Sequence, residues 1–224
     1  MNLASVSKQF TAMAVAILVE KGAISLDDDI RKYIPELHPF SNTVTIRHLV
    51  HHTSGLRDYN MVMNLTGDYL ETHKGVLDIL YKQKGLNFTP GEKFSYCNSG
   101  YFLLCELVER VSGQTLAEFS RKNIFEPLNM SDTMFKDNRS IVVKSRAFGY
   151  KTYKSTFRRI VSTRDFVGAG GVFTTIDDLV KWDANFYSNK LGKSTNELIK
   201  LFHETGTLNN GENTDYAFGV YVNK

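Results

Sequence analysis

Apolar residues recur at Phe10, Met13, Ala14, Ile17 and Leu18, which is the i, i+3, i+4, i+7, i+8 spacing of one buried helix face. Good helix formers surround them, so the pattern predicts a helix from Ser5 to about Lys21, stopped at Gly22. Ser25 to Asp29 reads as a short helical turn, and Pro35 and Pro39 bound a loop. Thr45 to Val50 is predicted as a short helix with Thr45 as its N-cap, followed by a turn at Gly55. Another helix is predicted over about Gly75 to Lys84. A tight turn at Thr89-Pro90-Gly91-Glu92 then feeds an apolar helix from Ser99 to Val111 that ends at Gly113. Leu116 to Ile124 adds a helix, and 131–165 mixes strand-like with loop-like stretches. Gly168 to Gly171 is a permissive loop. After it, Thr175 and Asp178 have the spacing of a capping box for a helix reaching about Tyr187. A helix near Thr195–Phe202 and a strand from Tyr216 to Val222 complete the reading, which holds many helices and hardly any sheet.

Composition narrows the function classes. The 224 residues are 42% hydrophobic and 23% charged, an ordinary globular balance that excludes a disordered or fibrous chain. The 27 basic residues barely exceed the 24 acidic ones and are scattered apart from pairs such as Arg158-Arg159, so no nucleic-acid footprint is expected. No run of apolar residues is long enough to span a bilayer, and Met1 to Ser5 lacks the basic and apolar regions of a signal peptide. Cys97 and Cys105 lie eight residues apart in a stretch that reads as helical after Asn98, too far apart to bridge, and are expected as free thiols.

Candidate chemistry begins at the first helix. Ser5 and Lys8 stand at i and i+3, which puts a hydroxyl and an amine on one face beside a helix N-terminus that favours negative charge. Such an amine accepts a proton only when burial or a neighbouring cation lowers its pKa. Alone, the pair is a weak signal and reads first as an N-cap serine with a solvated lysine. Tyr96-Cys97-Asn98 changes that balance, because it sits after Pro-Gly-Glu-Lys-Phe and before an apolar helix. A phenol sharing a site with an ammonium ionises more readily, and an amide orients both a lysine and a substrate carbonyl. His48, His51 and His52 have no Cys or acidic partner at useful spacing, so no metal is expected. Cys97 is not expected as a nucleophile, and no phosphate-binding lysine follows Gly168 to Gly171. No cofactor is called for.

With these stretches the chain resembles the serine β-lactamase and penicillin-binding protein superfamily, which includes class C β-lactamases, D-alanyl-D-alanine carboxypeptidases, D-aminopeptidases and related esterases. The resemblance is carried, in family order, by Leu3-Ala4-Ser5-Val6-Ser7-Lys8, Leu26-Asp27-Asp28, Ile46-Arg47-His48-Leu49, His52-Thr53-Ser54-Gly55-Leu56, Phe94-Ser95-Tyr96-Cys97-Asn98 and Gly170-Gly171-Val172-Phe173-Thr174. It implies an α/β fold of the β-lactamase/transpeptidase type, here mostly the helical subdomain (about 1–205) with the start of a core-sheet region (about 212–224).

The resemblance further implies a serine hydrolase in which Ser5 forms an acyl-enzyme and Lys8 and Tyr96 share the proton transfers. Asn98 would position the amide or ester, and the Ser5 N–H would be one oxyanion donor. The sequence does not apportion the general-base work between Lys8 and Tyr96. Substrates would be β-lactams, D-Ala-D-Ala peptides, D-amino acid amides or small esters, met in the periplasm or at the cell surface. The other reading is a non-catalytic penicillin-recognising module of the same fold. The family's His-x-Gly or Lys-Thr-Gly triplet and the strands before the nucleophile helix are not among these residues. The resemblance therefore implies that the sheet burying the inner face of the Ser5 helix, with the second oxyanion donor, lies outside them. The isolated chain is expected to be feebly active or inactive.

Overall fold

In the computed structural model of the chain, the structure describes residues 1–66, 72–160, 164–193 and 195–222. Among these residues lie eight α-helices and four short strands. The Ser5 helix is the axis of the molecule. It opens as a 3-10 turn over Ala4–Ser7 and continues as α1, Lys8–Glu20. The periodicity marks only one apolar face, yet Ala12, Val15 and Ala16 are as fully buried as Phe10 and Met13. A helix that is apolar nearly all round is a central helix.

Three helices enclose α1. They are α5 (Asn98–Ser112), α6 (Leu116–Ser120) and α8 (Asn196–Phe202). Phe10 adds an edge-on contact to Phe125 at 5.4 Å and a contact to Trp182 at 4.6 Å, pinning α7 (Ile176–Asn185) to the same axis. Full burial of a Phe contributes roughly 2–3 kcal/mol, so this cluster anchors the helix that carries Ser5. The inner face of α1 is thus covered within the chain itself, which corrects the expectation that only an outside sheet would bury it. No helix among the described residues is long and apolar enough to cross a membrane.

The predicted strand from Tyr216 to Val222 does not form over the described residues. The segment turns back on itself, joined by a Tyr216–Tyr221 bridge and an Ala217 N–H to Val220 carbonyl hydrogen bond. Gly219, at φ +84°, comes so close to α1 that a Cβ there would lie 2.7 Å from the Gln9 nitrogen. Ala217 and Phe218 are fully buried, so this turn fills space against the first turn of α1.

Local signals account for most other elements. Thr45 accepts from the His48 N–H and the His48 ring accepts from the Thr45 N–H, a reciprocal cap that starts α2 (Ile46–Val50). Gly113 ends α5 at φ +68°. The Thr175 cap of α7 forms only by half. Asp178 accepts from the Asp132 N–H, the Thr133 hydroxyl and Lys181, leaving its carboxylate engaged away from the cap. The helix predicted over Leu116 to Ile124 divides into α6 and a π-type turn, Arg121–Phe125. Helix α4 covers His73–Tyr81, shifted toward the N-terminus from its predicted place, and α3 (Tyr59–Thr66) carries no sequence prediction at all.

The sheet content is small. Strands β1 (Met134–Phe135) and β4 (Val172–Phe173) pair antiparallel, and β2 (Tyr150–Tyr153) and β3 (Thr156–Arg159) form an exposed hairpin. Both pairs fall within or beside the mixed region predicted over 131–165, whose residues 161–163 lie outside those described.

Candidate active site

Residues 1–3 run antiparallel to β4 on the edge not taken by β1. Leu3 N–H donates to the Val172 carbonyl at 2.9 Å, and Thr174 N–H donates to the Met1 carbonyl at 2.9 Å. The chain then turns through Ala4, a non-glycine residue at φ +48°, and enters the helix. Left-handed backbone costs an L-residue roughly 1 kcal/mol, and it persists here because both flanks are tied. Val172 N–H also donates to the buried Ser7 hydroxyl at 3.0 Å, locking the turn from beneath. Ser5 is left exposed at the lip, facing a cleft of about 590 Å³. Its N–H has no backbone acceptor among the described residues.

Lys8 is completely buried. Its ammonium donates to Asn98 Oδ1 at 2.8 Å, to the Ala169 carbonyl at 2.8 Å and to Ser5 Oγ at 3.4 Å. It also stands 4.8 Å from the centre of the Tyr96 ring and 5.5 Å from that of Tyr101. Burial pulls its pKa from 10.5 down to about 8, against an opposing pull from the Asp58 carboxylate. A neutral amine keeps two N–H groups and one lone pair. The two short contacts hold the N–H groups, and the lone pair is left for the third direction, toward Ser5 Oγ.

Asn98 is the first residue of α5. Its N–H and its Nδ2 both donate to Asp58 Oδ2, at 2.6 and 2.9 Å. That assigns the amide orientation, leaving Oδ1 for Lys8. Asp58 therefore serves as an anion at the α5 N-terminus and as the clamp on Asn98. Tyr96 is partly exposed. Burial raises its pKa above 10, and a hydrogen bond to Ser5 only partly offsets this, so the phenol holds its proton.

Ser5, Asn98 and the Tyr96 ring, the other three residues marked in the sequence, thus converge on Lys8. The sequence reading missed three contributors. Asp58 has the signal of a helix cap, since it accepts from the Asn60 N–H at 2.8 Å just before α3, whose helical pattern went unread. Ala169 acts through its carbonyl and carries no side-chain signal.

His52, the third, sits at φ +58° with its ring 4.3 Å from that of Tyr96. Its Nδ1 accepts from the Cys97 N–H at 3.1 Å, which puts the ring proton on Nε2. Burial, reinforced by the nearby Lys8 charge, pushes its pKa down to about 3, so His52 is a neutral plate beneath the phenol. Cys97 and Cys105 are free and buried, and burial raises the Cys97 thiol to about 11, unsuited to nucleophilic work. Away from the cleft, His73, Glu106 and Glu109 bring ligand-type atoms within 4.8 Å of one another, but Glu106 is already shared by His73 and Arg110.

The profile of the family described as Beta-lactamase matches residues 1–224. The chain is 33% identical to penicillin-binding protein 4* of Bacillus subtilis, over 97% of this chain and 51% of that protein. It is 26% identical to the D-aminopeptidase of Gluconobacter oxydans, over 100% of this chain and 42% of that protein. The crystal structure of a penicillin-binding protein from Bacillus halodurans superposes with a TM-score of 0.84 at 28% identity, covering 99% of this chain and 68% of that one. The chain spans about half the length of the curated relatives it matches.

Proposed function

The chain belongs to the beta-lactamase family, and from that premise we propose that it carries the nucleophile of a serine hydrolase that cleaves amide or ester bonds through an acyl-enzyme on Ser5. The observation that carries this reading is the buried Lys8 ammonium shared among Ser5, Asn98 and the Ala169 carbonyl. Lys8, with its pKa drawn down to about 8, is the resting general base. It takes the proton from Ser5 Oγ as that oxygen bonds to the substrate carbonyl carbon. The negative charge on the carbonyl oxygen is met by the Ser5 N–H, a donor of the kind worth roughly 3–4 kcal/mol when removed.

Tyr96, which keeps its proton, gives it to the departing nitrogen or oxygen as the bond to carbon breaks. Lys8 then returns its proton to the phenolate, and water releases the acyl group with the same groups acting in reverse. Asn98 holds Lys8 in place and presents its amide beside the scissile bond. The relatives' names, a penicillin-binding protein and a D-aminopeptidase, favour amide substrates, and the periplasm or cell surface is the proposed setting.

A fluorescent fluorophosphonate tests the nucleophile. Wild-type protein is expected to label covalently and Ser5→Ala is not. Equal labelling of the two would sink the assignment.

A further inference from the structure

Beyond Ser5 and Asn98, the cleft is lined by three cations, Lys136, Arg146 and Arg164, and no Asp or Glu stands among its lining residues. The positive wall is anchored to the same strands that deliver Ser5. The Lys136 N–H donates to the Gly171 carbonyl at 2.9 Å, one residue from β4, and the Lys136 ammonium donates to the Arg139 carbonyl at 3.0 Å. The Arg146 guanidinium lies 4.7 Å from the centre of the Phe148 ring and 5.8 Å from that of Phe173, which also lines the cleft. The guanidinium of Arg159 occupies the same Phe148 ring, likewise at 4.7 Å.

Two like charges sharing one aromatic ring repel, and a ring quadrupole compensates them only in part. Among the described residues neither Arg146 nor Arg159 pairs with a carboxylate. The Asp165 carboxylate is taken by Arg139, accepting from its Nε at 2.8 Å and from its backbone N–H at 2.6 Å. Among the described residues, Lys136 and Arg146 thus have no carboxylate counter-charge.

Its position relative to the chemistry identifies which part of a substrate would supply that charge. Ser5 and Asn98 line the cleft, whereas Tyr96, the donor to the leaving group, does not. The cleft is therefore the acyl side of the scissile bond. We infer that Lys136 and Arg146 form an anion subsite that selects substrates bearing a carboxylate or phosphate on the acyl portion. This rests on Ser5 being the nucleophile.

The test compares acylation bursts with two p-nitrophenyl esters of equal length, the adipate half-ester with a free carboxylate and the neutral hexanoate. A burst counts one acylation per site and needs no rapid turnover. The expected wild-type rate ratio, anionic over neutral, is about tenfold at low ionic strength, falling toward one in about 0.5 M salt as screening sets in. In the double variant Lys136→Gln/Arg146→Gln the ratio is expected near one at low salt. Lys151→Gln, on the exposed strand β2 outside the cleft, is expected to keep the wild-type ratio.

A wild-type ratio near one, or a tenfold ratio retained by the double variant, overturns the subsite. Adipate and inorganic phosphate as competitors against the hexanoate distinguish its two sources. Inhibition by one or the other supports the subsite and names its anion, and inhibition by neither overturns it. A burst that survives in Ser5→Ala would instead bring down the nucleophile assignment, whatever the charge preference.

Discussion

Lys8 ties stability to the proposed chemistry at a single side chain. Its buried pKa of about 8 lies below the 10.5 of an unfolded lysine, so between these values the unfolded chain binds the extra proton. Folding is accordingly less favourable below about pH 8 and gains as pH rises toward 10.5. The same shift predicts that Ser5 acylation rises with pH to a plateau with a midpoint near 8, read from burst rates between about pH 6 and 9.5. A flat profile would remove Lys8 from the base role. Lys8→Gln should lower the burst rate by roughly 10²-fold or more. Tyr96→Phe separates the second proton transfer. It is expected to slow amide substrates by roughly 10²-fold while affecting p-nitrophenyl esters little, because nitrophenolate departs without a proton. Equal losses on both would argue that Tyr96 serves only to pack beside His52.

At the scale of elements, the Gly168 to Gly171 loop holds the site by its backbone. Gly168 sits at φ +103°, and a Cβ there would lie 2.7 Å from both the Tyr101 carbonyl and the Cys105 Cβ of α5. The next residue, Ala169, supplies the carbonyl that Lys8 needs. Gly168→Ala is therefore expected to cost about 2–3 kcal/mol in urea unfolding and to slow acylation. Gly22→Ala is the comparison. It meets the same left-handed strain at φ +71° with nothing within 4 Å, so its cost should be about 1 kcal/mol with acylation unchanged. Similar kinetics in the two variants would show that the loop does not position Lys8. The short elements around this loop explain why much of this scale was illegible in the sequence. Strands β1 and β4 have two residues each, too few for any alternation to register. Asp178 has the spacing of a capping box, and its carboxylate was instead recruited by Asp132 and Thr133, residues more than forty positions away.

The whole molecule is organised around buried neutral histidines as well as around α1. His51 Nδ1 faces the Tyr216 carbonyl at 3.0 Å, so it carries the ring proton, the opposite tautomer to His52. Burial pushes their pKa values to about 4 and about 3, against 6.5 in the unfolded chain. Between 6.5 and these values the unfolded chain binds more protons, so stability falls as the solution is acidified. From pH 7 to 5 each histidine should remove about 2 kcal/mol. Urea unfolding at the two pH values measures the loss, which His51→Gln should roughly halve. No loss in the wild type would contradict the buried neutral state.

The helices whose limits rest on near neighbours could be read from the chain alone. Thr45 with His48, Gly113 after α5, and the Ser5 to Lys8 spacing all act within one helical turn, so sequence distance is spatial distance. The pairing of Lys8 with Asn98 and Ala169 spans 90 and 161 residues and exists only once α5 and the glycine loop close over α1. Enclosure also sets the protonation of Lys8, because desolvation belongs to everything packed around a group. The turn at 216–221 follows the same rule. Its apolar residues suit a strand, and packing against α1 decided what they became. Residue types and local spacing marked the candidate residues, and tertiary closure determined which of their atoms meet.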